Sequence, residues 1–303
     1  MNEIENRHFR EISADREAPV LVVGARGRVG RSVVRSLVSC GQTVRALTRH
    51  PNRMPATPNV EVVEGELFDM RSLRSALAGV RRVFLLWPFP GADHAAAVID
   101  TIAETASRCV LLSSGLVGDN GCTALRGLTV AEGHTVAERL IQQVGMEWTI
   151  LRPASLMANN ARWAAQLTSG DTVCGTYGDL PMAPVHEADV AAVAVHALLG
   201  DGHHQRRYHL TGPEVLTQKQ QLSLLGRHLK RALRWKEITL AEYREHLLAT
   251  RLLHPDCVEA VLRAHSEMAA GGPVRLTTAV STVTRRPPCA VEDWVRENAW
   301  RFR

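Results

Sequence analysis

The sequence predicts an α/β protein with a doubly wound parallel sheet and a smaller, mainly helical C-terminal lobe for the substrate. Three observations predict this fold class. Short apolar strands alternate with amphipathic helices as far as Leu151, a glycine-rich turn follows the first strand, and the chain after Thr217 is mainly helical. Repeated strand–helix units imply parallel strands that helices cover on both faces.

Each element in the first half has its own signal. The first strand is an apolar run bounded by Pro19 and Gly24, and Gly41 is placed to end the helix that follows it. The predicted elements are, in order, strand 19–23, helix 31–40, strand 43–47, strand 60–63, helix 70–78, strand 83–86, helix 92–107, strand 110–113, helix 130–144 and strand 147–151.

The pattern changes after Pro153. Residues 154–184 look irregular, and then come a helix over 187–199, which His186 is expected to cap, and a strand over 207–210. The remaining predicted elements are helices near 217–230, 240–250, 255–270 and 290–300, and a strand over 234–238. We therefore expect a nucleotide-binding domain formed by 18–153 together with 184–212. We expect a substrate lobe formed by 154–183 and 213–303. Residues 1–17 are expected to be a flexible leader.

Composition narrows the classes of partner. The 303 residues are 45% apolar and carry a formal net charge of +5, but the basic residues are scattered, so we expect no nucleic-acid interface. The six cysteines form no Cys-x-x-Cys pair, and no run is apolar enough for a signal peptide or a membrane span. The sequence therefore predicts a cytoplasmic protein that binds a small molecule, without a metal or a membrane; a homodimer stays open.

The turn after the first strand predicts a dinucleotide site of the Rossmann type. Gly24, Gly27 and Gly30 lie between a strand and a helix, and a second strand follows. Such glycines permit a tight turn, close approach of a pyrophosphate and close helix–strand packing, and the first backbone N–H groups of the helix, around Val29, bind the anion. The alternative is a plain glycine-rich turn. The spacing Gly-x-x-Gly-x-x-Gly points to the extended and atypical branch of short-chain dehydrogenases.

The end of the second strand indicates which nucleotide binds. An NAD site usually has Asp or Glu there for the ribose 2′-hydroxyl, whereas an NADP site uses Arg for the 2′-phosphate. The stretch from Arg45 to Pro51 contains no carboxylate. Arg49 is the first candidate for the phosphate ligand and Arg26, inside the turn, is the second; the alternative for each is a solvated surface arginine. The sequence therefore predicts NADP(H).

Taken together, these segments resemble the NmrA-like family of atypical short-chain dehydrogenases, from Val20 to near Phe302. The glycine turn and the Trp-Thr-Ile-Leu-Arg-Pro stretch are individually specific. The matching stretches are 22–30, 44–51, 65–69, 147–153 and 208–214.

The resemblance implies roles for further residues. Each has a plain alternative, which is core packing for the tryptophans and a polar strand end for the serines. The implied cofactor contacts are Glu66 and Leu67 at the adenine, Trp87 and Pro88 at the nicotinamide ribose, and Ser113 and Ser114 at the nicotinamide; the implied substrate loop holds Met157, Asn159, Asn160 and Trp163, and Phe89 is a further aromatic candidate.

The usual catalytic pair of short-chain dehydrogenases is missing. In Tyr-x-x-x-Lys the lysine lowers the tyrosine pKa so that the tyrosine can protonate a carbonyl oxygen. No lysine stands four residues after Tyr177, Tyr208 or Tyr243, and Lys219 is the first lysine of the chain. Composition therefore excludes the usual mechanism.

His134 and Glu138 match the Tyr and Lys positions by their place in the helix before the Trp-Thr-Ile-Leu-Arg-Pro strand. They lie one helical turn apart, and a carboxylate there is expected to raise the His134 pKa and orient its ring. His134 is the candidate proton donor, with Ser113 as a second catalytic candidate; the alternative is that His134 merely packs beside an inert cofactor.

Three functions stay open on the sequence. The first is an NADPH-dependent reductase of a small, aromatic or quinone-like or biosynthetic compound. The second is a non-redox sensor or regulator that binds NADP(H), which the missing Tyr–Lys pair favours. The third is a non-redox isomerase or cyclase on the same scaffold, with His134 at work and the cofactor structural or absent.

Overall fold

The computed structural model describes residues 18–87, 93–117, 129–250, 255–270 and 274–303. The predicted leader over 1–17 and the candidates Pro88 and Phe89 lie outside these described residues.

A seven-stranded parallel sheet forms the centre of the molecule. Its strands stand in the order β3-β2-β1-β4-β5-β6-β9, so the order reverses between β1 and β4 and leaves a crevice at their carboxyl ends. The doubly wound sheet that the sequence predicts is confirmed. The strands are β1 (Val20–Val23), β2 (Val44–Thr48), β3 (Val60–Glu64), β4 (Arg82–Leu86), β5 (Arg108–Leu112), β6 (Glu147–Pro153) and β9 (Arg206–Leu210).

Two helical layers cover the sheet, because alternate strand residues point to opposite faces. Val20 and Val22 of β1 belong to one apolar cluster, whereas Leu21 and Val23 belong to the other. On the first face lie α1 (Arg28–Ser39) and α6 (Glu187–Leu199). The second face is covered by α2 (Met70–Leu77), α3 (Ala95–Ala103) and α4 (Thr129–Ile141). His186 caps α6 as predicted, since its Nδ1 accepts the N–H of Ala188 at 3.0 Å.

Most of the other elements pack around a separate apolar cluster that includes Trp163, Leu222 and Trp294. These other elements are α5 (Ala164–Leu167), β7 (Thr172–Gly175), β8 (Pro181–Met182), β10 (Leu216–Thr217), α7 (Gln218–Leu229), β11 (Arg234–Glu237), α8 (Leu240–Thr250), α9 (Pro255–Ala270), α10 (Ala279–Thr284) and α11 (Val291–Asn298), with 3-10 turns at Pro51–Arg53, Met157–Trp163 and Ala299–Phe302. Helices α8 and α9 share a cluster of their own, and α10 packs on the first face of the sheet. Within the described ranges, no helix has the length and apolar character that a membrane crossing requires.

The stretch 154–184, expected to be irregular, contains short strands. Strand β7 pairs in parallel with β11, and β8 pairs antiparallel with β10. Their partners lie far along the chain, so local sequence patterns do not reveal them. Helix α10 was not predicted either; it is short and rich in β-branched residues, which weaken a helical signal.

Candidate active site

The glycine turn has the geometry that a bound pyrophosphate requires. Gly24 has φ +80°, in the left-handed region, and its carbonyl accepts the N–H of Gly27 at 2.8 Å. A Cβ at Gly30 would lie within 3.0 Å of backbone atoms of Gly24 and Ala25, so only glycine fits there. Helix α1 begins at Arg28 without a side-chain cap from any described residue and without an acidic residue in its first turn. Its first N–H groups, including that of Val29, therefore suit a dinucleotide phosphate.

The two arginines proposed for the 2′-phosphate lie on the surface of this crevice. Arg49 follows β2 directly, and Arg26 is exposed inside the turn. Arg49 Nη1 lies 3.8 Å from Glu66 Oε1, and both side chains are more than half exposed, so this ion pair leaves the guanidinium available. Leu67, the other implied adenine contact, is buried in the core of the second face.

A buried charged network occupies the carboxyl ends of β5 and β6. Arg152 donates to both carboxylate oxygens of Glu138, from Nη2 at 2.6 Å and from Nε at 3.0 Å. Ser113 Oγ donates to the same carboxylate, and Arg152 Nη1 lies 3.4 Å from His209 Nε2. Glu138 and Arg152 are almost fully buried. The expected pairing of Glu138 with His134 therefore gives way to a bidentate pair with Arg152, because a guanidinium offers two parallel N–H donors.

His134 is buried, and its Nδ1 has no hydrogen-bond partner among the described residues. Burial lowers the pKa of His134 to about 4, against an opposing influence of Glu138. The ring is therefore neutral at neutral pH, which differs from the raised pKa expected from the sequence. Burial outweighs the charge of Glu138, which Arg152 neutralises. The catalytic role of His134 stays a prediction.

The predicted aromatic and substrate-loop residues divide into two groups. Trp87 is buried with its ring 5.7 Å from that of Phe68, and Trp163 packs 6.3 Å from Trp235. Met157 is fully buried, so it belongs with these core residues. Asn159 and Asn160 line a cavity, as does Ser114, whereas Ser113, Trp87, Met157 and Trp163 are not among its lining residues.

This cavity has a volume of about 930 Å³, and it opens between the carboxyl ends of β6 and β9 and helix α9. Arg28 at the start of α1 also lines it, and its Nη1 donates to the carbonyl of Ala158 across the cleft. The cavity therefore adjoins the glycine turn. Sequence reasoning assigned no role to its arginines and histidines, which are Arg28, Arg152, Arg162, His209, His265 and Arg275. Arg28, Arg152 and His209 had a sequence signal, because they lie in the matching stretches 22–30, 147–153 and 208–214.

The comparison with family models agrees with the glycine turn. Residues 24–201 match the model described as NAD(P)H-binding. The chain belongs to this NAD(P)H-binding family. The predicted nicotinamide dinucleotide site is thereby confirmed at the level of the family.

Known relatives span nearly the whole chain. The (4-alkanoyl-5-oxo-2,5-dihydrofuran-3-yl)methyl phosphate reductase of Streptomyces griseus is 35% identical over 285 residues, which cover 93% of this chain and 99% of the relative. The NAD(P)H azoreductase of Xenophilus azovorans is 27% identical, over 93% of this chain and 99% of its own.

A solved structure confirms the predicted resemblance in fold. NmrA, described as a negative transcriptional regulator in complex with NADP, superposes with a TM-score of 0.68 at 18% identity, over 93% of this chain and 95% of that chain. The family member therefore has the NmrA-like fold along most of its length.

Proposed function

We propose that this family member is an NADPH-dependent reductase that acts on an electron-poor, conjugated double bond in a small compound. The observation that carries the proposal is the cavity of about 930 Å³ beside the glycine turn, which arginines line and in which no described lining residue is a carboxylate. Such a cavity favours a reaction in which negative charge develops on the substrate.

A conjugated acceptor is compatible with the absence of the Tyr–Lys pair, because its reduction needs no strong proton donor. The reduced nicotinamide, when bound, supplies a hydride to the acceptor carbon or nitrogen. If the acceptor is conjugated to carbonyl or similar groups, the resulting anion is delocalised and needs no strong acid beside it. The guanidinium of Arg152 and the ring of His209 line the cavity where they stabilise such an anion, and water in the open cavity supplies the proton.

The names of the two relatives describe acceptors of this kind. In the compound that names the Streptomyces griseus relative, the ring double bond joins the carbon that carries the phosphomethyl group to the carbon that carries the alkanoyl group. The second of these carbons is also bonded to the ring carbonyl, so both carbonyls are conjugated with the double bond. An azoreductase acts on a nitrogen–nitrogen double bond, which is also electron-poor. Both relatives match almost the whole of this chain, which supports extending their reaction class to it.

NADPH is the proposed reductant because of the crevice beside β2. Arg49 is exposed at the carboxyl end of β2, and its ion pair with Glu66 spans 3.8 Å. A 2′-phosphate would offer Arg49 a stronger partner, since charge-assisted hydrogen bonds of a guanidinium to phosphate are short and often bidentate. Arg26, which is exposed in the glycine turn, is the second candidate for the 2′-phosphate.

An acceptor panel tests the function. NADPH oxidation is followed with menadione, an azo dye, an α-acyl butenolide, and a simple ketone and aldehyde as unconjugated controls. We expect turnover of the conjugated compounds and none of the controls. Equal turnover of the simple ketone would contradict the proposed acceptor class, because that reaction requires a strong proton donor at the oxygen.

A second candidate is a non-redox NADP(H)-binding regulator, which the state of the predicted donors favours. His134 is neutral and buried, and Ser113 is held by Glu138. This candidate predicts tight binding of NADPH without oxidation by any member of the panel. A non-redox isomerase or cyclase predicts instead substrate conversion that persists without NADPH and is lost in His134→Ala.

A further inference from the structure

The cavity has an excess of positive charge. Of its four arginines, Arg152 is neutralised by Glu138, and Arg28 belongs to the glycine turn. The remaining two, Arg162 and Arg275, form no ion pair with any carboxylate in the described part of the chain. Arg162 is partly buried, whereas Arg275 is exposed. A partly buried arginine such as Arg162 seldom lacks a counter-ion, because removing a charge from water is unfavourable unless an opposite charge compensates.

Arg162 is held in place by the protein. It lies in the 3-10 turn Met157–Trp163, and its Nε donates to the carbonyl of Asn159 at 3.0 Å. Among the described residues, no hydrogen-bond partner is found for its two Nη atoms, so both can bind a ligand. Arg28 lines the same cavity, and its pKa is lowered, chiefly by partial burial and next by the charge of Arg162.

His265 supplies a buried polar group to the same cavity as Arg162. It projects from α9, is only 9% exposed and lines the cavity, and its Nδ1 has no hydrogen-bond partner among the described residues. The ring stacks on Tyr243, with centroids 6.5 Å apart and planes inclined by 12°, so its orientation is fixed. Burial, and then the charge of Arg162, lower the pKa of His265 to about 4. The buried Nδ1 of His265 has no hydrogen-bond partner among the described residues, and Arg162 has no counter-ion among them. A bound anion would accept hydrogen bonds from both side chains.

We infer that Arg162, Arg275 and His265 form an anion pocket that binds a phosphate group carried by the substrate. Arg162 and Arg275 supply the charge, and the neutral ring of His265 donates one N–H. The inference rests on the proposed function, because it names the substrate class of the same cavity. The apolar wall of α9, with Val261, Ala264 and Met268, is left for the rest of the substrate.

The relative from Streptomyces griseus is consistent with such a pocket. The compound in its name carries a phosphate on a methylene group attached to the ring carbon that would accept the hydride. In this chain a phosphate bound by Arg162 would lie between the glycine turn, which Arg28 marks, and the apolar wall of α9. The double bond would then be within reach of the cofactor crevice.

The test uses butyl phosphate as the probe and menadione as an uncharged acceptor, at saturating NADPH. We expect butyl phosphate to compete with menadione in the wild-type protein, and butanol not to compete. Arg162→Met and Arg275→Met should each raise the inhibition constant at least about tenfold, because each removes charge-assisted hydrogen bonds. His265→Phe keeps the stacking on Tyr243 and should raise it by a smaller factor. Arg227→Met, an exposed arginine of the lobe outside the cavity, should leave it unchanged.

Two results would overturn the anion pocket. One is an inhibition constant that stays the same in Arg162→Met and Arg275→Met. The other is a parallel loss of NADPH affinity in both variants, which would assign these arginines to the cofactor pyrophosphate. If the wild-type protein reduces no acceptor, the proposed reductase function fails by itself. Calorimetric titration of butyl phosphate into the NADP⁺-loaded protein and the same variants then decides on the pocket separately.

Discussion

The two halves of the site are built differently. The cofactor crevice is made from backbone within one short segment, in which Gly24, Gly27 and Gly30 shape the turn and α1 supplies its N–H groups. The cavity proposed for the substrate is made from side chains of segments far apart in sequence, such as Arg28, Arg162, His209, His265 and Arg275. A site that binds its ligand through backbone atoms keeps that ligand when nearby side chains vary. A site that binds through side chains can change its ligand when one residue is replaced. This difference explains how one family fold serves several substrates.

The difference also concerns buried charge. The crevice holds exposed arginines such as Arg49, whereas Arg152, which lines the cavity, belongs to a buried pair with Glu138, and the neutral His134 is buried near that pair. We call Glu138, Arg152 and His134 the buried floor. Substitutions in the buried floor should therefore act mainly on folding, and substitutions in the crevice mainly on binding.

Glu138→Leu should produce the largest effect. Removing this carboxylate leaves the Arg152 guanidinium buried without its partner, which costs about 3–5 kcal/mol of unfolding free energy. Urea denaturation measures the loss, and the double variant Glu138→Leu, Arg152→Met should recover most of it. Glu147→Gln is the matched control, because it breaks the half-exposed pair with Arg108 and should cost about 1 kcal/mol or less. If Glu138→Leu and Glu147→Gln lose the same unfolding free energy, the buried pair Glu138–Arg152 contributes no more to stability than the half-exposed pair.

The buried histidines should make folding pH-dependent. The pKa of His134 is about 4 in the folded chain against an ordinary value of 6.5, so between these values the unfolded state binds more protons. Stability is therefore full above pH 6.5 and falls as the pH decreases toward 4, by about 2–3 kcal/mol for this group. His265 adds a loss in the same window.

Unfolding free energies measured from pH 7 to pH 4 test the pH prediction. The slope should flatten in His134→Gln and remain in His196→Gln, which changes an exposed histidine. An unchanged slope in His134→Gln would mean that this ring binds its proton in the folded protein over the same pH range as in the unfolded chain.

Gly30→Ala should weaken NADPH binding about tenfold to a hundredfold. The added methyl group would lie within 3.0 Å of the Gly24 and Ala25 backbone, and such overpacking costs about 1–3 kcal/mol. Gly145→Ala is the control, since a Cβ there meets no atom within 4 Å. Fluorescence titration of NADPH compares the variants. Unaltered affinity in Gly30→Ala would contradict the assignment of the crevice to this turn.

Arg49→Ser should have the smallest effect, on the choice of nucleotide alone. NADPH affinity should fall about tenfold while NADH affinity stays the same, because only NADPH carries the 2′-phosphate. Arg53→Ser removes a neighbouring exposed arginine and should change neither affinity. If both nucleotides bind more weakly to Arg49→Ser, Arg49 acts on the crevice in general; if neither does, Arg26 is the next candidate.

The sequence predicted whatever depends on local patterns. Strand β1, helices α6, α8 and α9 and the glycine turn follow from periodicity and spacing over a few residues. The pairing of β7 with β11 joins residues about sixty positions apart, so no local sequence pattern predicts this pairing. The site follows the same rule. His134 and Glu138 are neighbours on one helix face, but Arg152, brought in by β6, takes the carboxylate. Arg162 and His265 lie about a hundred residues apart in sequence, and only the packing of α9 against the rest of the structure places both in the lining of one cavity.

The most direct test of the proposed reductase function follows the hydrogen that NADPH transfers to the acceptor. NADPH carrying deuterium at the transferable position of the nicotinamide is incubated with the protein and an α-acyl butenolide phosphate, and the product is examined by mass spectrometry. We expect one deuterium in the reduced product, at the carbon β to both carbonyls. Tight NADPH binding with no deuterium transferred to this or any other conjugated acceptor would contradict it and favour the non-redox regulator.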